Sequence, residues 1–417
     1  MKKNNTLEDI VLPFLLIIIT WQSVAPWMKF HFSYTWFIDW MANMGLVFIF
    51  FMSYWKERKK TIMVFPKSLF FLVLVLTCSL FYGIFYMADD YFDTVAGIKH
   101  YAQWMLCMGV LYFQNPYKLS HITALWVKYA VPIAIILVPL MTGEAVGKYF
   151  APFTFIICFF PYLKGRARII SIIIIMVVLV CGALGARSVL LRFTMAILIA
   201  FGIYFQSFFS KFFLSSLSVV LLLTPFIFIT LAITTDFNIF QIQEYFGLKD
   251  VEVASGTDEK GSTSGVFQDT RTLLYTEVIL SAVENDYVVF GRSLSRGNDS
   301  YSKLFLEEDV TNSHYERRAN EVRILNVFTY MGIVGVIVFF LLHVTAVYTA
   351  FRKGRSIIIY FMGAFVAARW VFAWMEDFER FDLNNLFLWI PIAMCFSPMF
   401  LNMTDSDFKN WAKTLVG

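Results

Sequence analysis

Val219–Ile233 reads VVLLLTPFIFITLAI and Ile169–Cys181 reads IISIIIIMVVLVC. Runs of this kind carry no charge and show no apolar–polar alternation. They suit helices that cross a bilayer, whereas a transmembrane barrel is built from short alternating strands. The rest of the chain agrees. Of its 417 residues, 59% are hydrophobic and 15% charged, and the mean hydropathy is +0.66. An average soluble domain is about half apolar and about a quarter charged. A soluble multidomain enzyme, a disordered chain and a disulfide scaffold are therefore excluded. The apolar content suffices for about twelve spans of about 20 residues each. The expected fold is an all-α polytopic membrane protein. All five cysteines lie in apolar runs without metal-ligand or disulfide spacing, and they read as small buried hydrophobes.

Apolar runs fall near 7–26, 36–55, 68–87, 98–114, 122–141, 149–163, 168–185, 189–209, 213–235, 325–349, 356–374 and 386–402. The fourth is the weakest, with Lys99, His100 and Gln103 at its start. Lys2-Lys3, Lys56/Arg58/Lys59/Lys60, Lys118, Lys164/Arg166/Arg168, Lys211, Arg352/Lys353/Arg355 and Lys409/Lys413 occupy every second connection. The intervening ones hold Asp89/Asp90/Asp93, Glu144 and Glu376/Asp377/Glu379. By the positive-inside rule both termini are cytoplasmic. Residues 1–235 then form about nine spans, 236–324 an outer loop, 325–403 three further spans and 404–417 a cytoplasmic tail. The first span ends in a signal-like Ser23-Val24-Ala25. Glu8 and Asp9 interrupt its start, however, and the topology needs it uncleaved, so it reads as a signal anchor.

The 236–324 connection is far longer than a usual loop. It carries sixteen acidic and nine basic residues, a net of −7, which leaves +11 on the rest of the chain. Six of the nine basic residues are Arg: 271, 292, 296, 317, 318 and 323. Val253–Gln268 is rich in Gly, Ser and Thr and reads as a flexible tether. Asp269–Asn285 reads as a helix, with Asp269 as N-cap and Leu274, Val278 and Ala282 on one stripe. It is too short and charged to span, and is expected to lie on the membrane or to roof the bundle.

Several constellations could carry chemistry. In Gly185-Ala186-Arg187-Ser188, Arg187 stands at the outer membrane boundary, where a charge is either a functional group or a snorkelling anchor. Arg271 on the loop helix and Arg292 in Gly291-Arg292-Ser293-Leu294-Ser295-Arg296-Gly297 offer guanidinium groups, which grip phosphate oxygens bidentately. Arg296 and Arg323 read as partners for nearby carboxylates. In His314-Tyr315-Glu316-Arg317-Arg318-Ala319-Asn320-Glu321, a helix beginning before Arg317 would set Arg317 beside Glu321. Glu321 could then act as a base towards a hydroxyl, or form a surface ion pair. Arg369, Glu376, Asp377, Glu379 and Arg380 bracket the eleventh span, as a site rim or as mutually neutralised charges. There is no H-E-x-x-H, P-loop, G-x-S-x-G or metal-spaced cluster, so nothing calls for ATP, a metal or another cofactor.

Three of these segments, in this order and with one large late outer loop, resemble the O-antigen polymerase/O-antigen ligase superfamily of bacterial inner-membrane glycosyltransferases. They are Gly185-Ala186-Arg187-Ser188, Asp269-Thr270-Arg271 through Gly291-Arg292, and Glu321 through Gly332-Ile333-Val334-Gly335. The resemblance covers roughly residues 165–340. In ligases of the superfamily a His stands eleven residues before the first Gly of the G-x-x-G. Here that position is Glu321, and the nearest His is His314, which favours a polymerase and leaves the base between Glu321 and His314.

The resemblance implies a metal-independent, inverting transfer at the outer face of the bacterial inner membrane. A growing glycan leaves undecaprenyl pyrophosphate for a hydroxyl of the next lipid-linked repeat unit, building O-antigen, capsule or exopolysaccharide. Arg187, Arg271, Arg292 and Arg317 would hold the pyrophosphate, and Glu321 or His314 would serve the acceptor hydroxyl. The partners implied are the lipid-linked oligosaccharide, the bilayer, a chain-length regulator and a flippase, with no nucleic acid. The alternatives are a ligase that transfers glycan to lipid A core, and a transporter or flippase, although no repeated halves are visible. A cytoplasm-dependent reporter should be active when fused after Lys60, Arg166 or Arg355, and silent within Ser255–Ser264. Activity from the last fusion would place every candidate residue in the wrong compartment.

Overall fold

The structure, a computed structural model, describes residues 7–29, 36–58, 63–182, 187–235, 270–300, 316–376 and 380–416. It is overwhelmingly helical. In chain order the helices are α1 (Leu7–Val24), α2 (Trp36–Glu57), α3 (Lys67–Tyr82), α4 (Tyr91–Trp104), α5 (Gly109–Tyr112), α6 (Pro116–Leu137), α7 (Gly143–Tyr149), α8 (Phe153–Cys158), α9 (Gly165–Val177), α10 (Arg187–Tyr204) and α11 (Lys211–Thr234). After the long connection come α12 (Thr270–Glu284), α13 (Arg323–Lys353), α14 (Ile357–Phe372), α15 (Leu383–Phe396), α16 (Pro398–Asn402) and α17 (Asp405–Ala412). The one sheet among the described residues pairs β1 (Asn298–Asp299) with β2 (Glu316–Arg317) in antiparallel register.

Among the described residues, four segments are long and apolar enough to cross a membrane: Lys67–Met87, Pro116–Leu140, Lys211–Ala232 and Arg323–Lys353. Val11–Val24, Val189–Tyr204, Ile357–Phe372 and Leu383–Phe396 are shorter apolar helices. The sequence leads to about twelve spans, and the difference has a local cause. The run at 98–114 is divided between α4, a 3-10 turn (Met105–Met108) and α5. The 149–163 run contains α8 and a second 3-10 turn (Phe160–Tyr162), and α9 passes into a π-helical turn (Val178–Gly182). Hydropathy records apolar content and is blind to such interruptions. Phe85, Ile135, Phe208 and Phe212 are each at least 70% exposed. An apolar outer surface of this kind needs hydrocarbon as its solvent.

The basic connections gather at one end. Lys118 pairs with Glu57 at 2.6 Å, the Trp411 indole donates to the Pro116 carbonyl at 2.9 Å, and Arg355 N donates to the Leu401 carbonyl at 3.1 Å. There α17 is capped by Thr404 and Asp407 in a reciprocal capping box. At the opposite end Leu383 N donates to Ser23 Oγ at 2.8 Å, and residues 286–300 and 316–322 cover α3, α4 and α13. This is the loop end.

Helix α12 confirms the stripe read from sequence, with Leu274, Val278 and Ala282 buried. It roofs the end of α14: Tyr275 Oη donates to the Trp374 carbonyl at 2.8 Å, and Arg271 Nε to the Met375 carbonyl at 3.1 Å. Asp269 and the 253–268 tether lie outside the described residues. Cys107, Cys158 and Cys395 are buried as expected, whereas Cys78 is exposed.

Helix α13 is broken at Gly332, whose φ of 61° and ψ of −159° leave the helical region. In a straight helix the sixteen rises from Arg323 to Phe339 would span about 24 Å. Here the Arg323 guanidinium lies 5.4 Å from the Phe339 ring centroid, so the arms on either side of Gly332 fold towards each other. The chain at 287–292 stitches the break. Ile333 N donates to the Val288 carbonyl (2.9 Å), Val334 N to Val289 (3.2 Å), and Arg292 N to Thr329 (2.7 Å). Gly291, with φ of 79°, meets Gly332 backbone to backbone, and a Cβ on either would overlap the other's peptide. Gly332→Ala should therefore lower stability by about 3 kcal/mol or more, because a backbone clash adds to an unfavourable φ. Gly165 also has a positive φ (52°) but faces open space, so Gly165→Ala should cost only about 1–2 kcal/mol. Thermal midpoints of the two variants in detergent test the difference.

Candidate functional site

Two sets of arginines occupy the loop end. The first belongs to the loop itself and is organised around Glu316. Arg296 Nε lies 3.0 Å from both Glu316 oxygens, Arg292 Nη2 is 3.0 Å from Oε1, and Gly297 N donates to Oε2 at 3.1 Å. Arg292 also holds Asp299 at 2.7 Å and Arg296 holds Asp89 at 2.7 Å. Arg317 Nη2 is 3.5 Å from Glu277, and Arg318 Nη2 is 2.6 Å from Asp93. Each of these guanidinium groups thus ties the loop to itself or to the start of α4.

Between Arg292 and Arg296 the Ser293-Leu294-Ser295 tip is buried in the bundle. Its backbone is non-helical and must find partners there. His100 Nδ1 donates to the Leu294 carbonyl at 2.9 Å, and Ser293 Oγ accepts from Ser295 N at 3.3 Å. Gly83 and Gly97 leave room for Ser295, since a Cβ at either position would strike its hydroxyl.

The titration behaviour of the loop follows its pairing. Hydrogen bonding to Glu316 raises the Arg296 pKa above its ordinary value, against the effect of burial. Burial lowers that of Arg317, opposed by Glu277 and Glu321. Burial alone would raise Asp299, but the Arg292 hydrogen bond and charge, with bonds from Asn285 and Ser281, hold its carboxyl below the usual value.

The second set converges on the turn at 373–376, which ends α14. Arg192, on α10, pairs with Glu376 Oε1 at 2.9 Å and also bonds Asn384. The backbone N–H of Arg323 donates to the Glu376 carbonyl at 3.2 Å, and Arg271 reaches the Met375 carbonyl from α12. Arg369 lies one turn before this segment. Arg192, Arg323 and Arg369 are 4%, 0% and 7% exposed, so three cations are buried within the bundle. The Arg323 guanidinium lies over Trp104 at 4.1 Å, with Phe339 and Trp389 also within 6 Å. These aromatic faces offset part of its desolvation. Arg192 and Arg369 line a small cavity with Thr154 and Asn384. Two guanidinium groups, a hydroxyl and an amide can bind an anion and stabilise charge developing on it.

The sequence candidates divide accordingly. Arg271 stands at the second set. Arg187 is the first residue of α10, five positions before Arg192; its side chain, and His314, lie outside the described residues. Arg292 and Arg317 are held by loop carboxylates, as Arg296 is. Helix α13 starts at Arg323 and not before Arg317, because β2 takes Glu316 and Arg317. The expected helical pairing of Arg317 with Glu321 is therefore not formed, and Glu321 is exposed on the preceding turn. Arg323, expected to be a surface ion-pair partner, is instead fully buried among aromatic rings. Arg192 carries no signal beyond being one charge inside an apolar run (LLRFTM), which by itself marks a functional candidate. No family model matches the chain, and no curated protein matches it.

Glu316→Ala would leave Arg292 and Arg296 without their shared anion, and should destabilise the fold by about 3–5 kcal/mol. Asp299 should give a gentler, pH-linked effect. Its folded pKa is depressed, so its contribution is complete above the unfolded value of 3.8 and is lost as pH falls through the lower folded value. Wild type and Asp299→Asn should thus converge in thermal midpoint on acidification below that point.

Proposed function

We propose that this protein is a bacterial inner-membrane polymerase of about twelve spans with both termini cytoplasmic. It joins undecaprenyl-pyrophosphate-linked oligosaccharide repeat units at the outer face. The observation that supports this reading best is the meeting of the Arg192 and Arg271 guanidinium groups at the 373–376 turn, with Arg369 one turn away and lining a small cavity with Arg192. Arginines from α10, α12 and α14 suit a doubly phosphorylated leaving group entering from the bilayer. A pyrophosphate spreads its charge over several oxygens, and guanidinium groups match them bidentately. Arg187 belongs to the same reading through its place at the head of α10.

The chemistry is an inverting displacement. The acceptor hydroxyl attacks the anomeric carbon, the bond from that carbon to the pyrophosphate oxygen breaks, and the arginines stabilise the departing charge. Arg292, Arg296, Arg317 and Arg318 serve in this reading as struts that hold the loop over the site.

A polymerase neither exports nor attaches the units it joins. Deletion should leave single repeat units exported and attached one at a time to the surface acceptor, and Arg271→Lys at normal abundance should lose about tenfold or more in chain extension. Gel separation of the surface glycan by length, beside analysis of the carrier-linked pool, reads this out. Long polymer stranded on the carrier would make the protein a ligase, and single units trapped inside would make it a flippase.

A further inference from the structure

Resting on the polymerase reading, we infer that Glu376 is the carboxylate that takes the proton of the acceptor hydroxyl. Its Oε1 is fixed by Arg192 at 2.9 Å, while its Oε2 is buried and has no hydrogen-bond partner. A carboxylate oxygen shut away from water without a donor is costly. The arrangement makes sense if a donor arrives with a ligand. Trp374 Nε1, two residues earlier on the same turn, is also buried without a partner. A turn carrying one unfilled acceptor and one unfilled donor suits a sugar hydroxyl, which both gives and receives hydrogen bonds.

Of the other acids described at this end, Glu284, Asp286 and Glu321 are exposed, and the rest are already committed. Asp89, Asp93, Glu277, Asp299 and Glu316 are each paired with an arginine, and Asp382 caps α15 through Asn385 N at 2.8 Å. Glu376 is also the acid paired with Arg192 on the turn whose Met375 carbonyl Arg271 reaches, where the leaving group would sit. In the step, the acceptor O–H bond breaks and its proton passes to Oε2. The oxygen's electron pair forms the new glycosidic bond, and the pair of the broken bond to the old anomeric oxygen leaves with the lipid pyrophosphate. The proton then returns to solvent.

The test uses full-length protein in liposomes with a short-chain polyprenyl-pyrophosphate-linked repeat unit. Glu376→Gln should keep KM for the donor within about threefold and lose about 100-fold or more in kcat. Should Glu376→Gln fail to fold, Glu376→Asp supplies the measurement. It keeps the charge opposite Arg192 but retracts the carboxylate by one methylene, and should lose about tenfold in kcat at an unchanged donor KM. A Gln variant within threefold of wild-type kcat overturns the assignment. So does a folded variant whose defect lies wholly in KM, which would leave Glu376 as a holder of Arg192. Loss on Glu321→Gln with Glu376→Gln unaffected overturns it in favour of the loop. Wild-type protein that makes no polymer overturns the polymerase reading itself, and this assignment with it.

Discussion

The backbone contact between Gly291 and Gly332 is the constraint on which the loop end depends. A helix cannot fold back on itself within a few residues unless its broken hydrogen bonds find other partners. Val288, Val289 and Arg292 supply those partners to α13, and can do so only because neither glycine has a side chain. The same contact sets the depth of the Ser293-Leu294-Ser295 tip and turns the first arm of α13 so that Arg323 enters the aromatic box. A single close approach thus positions both a loop and a buried cation, residues whose sequence positions suggest no connection.

The arginines fall into two groups by how their charge is met. In the loop, Arg292, Arg296, Arg317 and Arg318 each face a carboxylate, and Glu316 is shared by two of them. Such pairs are poor evidence of net stability, since desolvation offsets much of the attraction, but breaking one strands its partner. They specify geometry. In the bundle, the described surroundings of Arg192, Arg323 and Arg369 include amides and indoles as well as the carboxylates of Glu376 and Asp382. Aromatic faces and amide oxygens neutralise charge less completely than carboxylates do, and that leaves the second group better suited to an incoming anion.

Much of this was legible in the sequence, for reasons specific to each element. The apolar runs identified a helical membrane protein because composition alone decides that question. The loop helix was found from the spacing of Leu274, Val278 and Ala282, which is a local property. The separation of basic from acidic connections matches the two ends of the bundle, as the Pro116–Trp411 and Ser23–Leu383 contacts illustrate. Helix continuity was not legible: the 3-10 and π turns in the 98–114 and 168–185 runs come from packing. Nor was the sorting of the arginines. Arg271 and Arg292 look alike in sequence, yet one reaches a backbone carbonyl of α14's end and the other is clamped by two carboxylates. Pairing across 20 to 200 residues is a tertiary fact. Arg192 is the instructive omission, since one charge in an otherwise apolar run is easily absorbed into a span when it should be questioned.

The 373–376 turn joins the two systems physically. Its carbonyls at Ala373, Trp374, Met375 and Glu376 accept from Ile324, Tyr275, Arg271 and Arg323 respectively, so a helix of the long loop and the first arm of α13 rest on one short segment. The Glu376 side chain continues this contact to Arg192 on α10. A displacement of α12 would therefore be felt at Glu376 through two carbonyls next to it in the chain, and a displacement of α10 would be felt there through the ion pair. Coupling of this kind needs no long pathway, because the elements share their partner residues directly. Any play in the roof would thus be transmitted to a carboxylate that is paired with a bundle arginine.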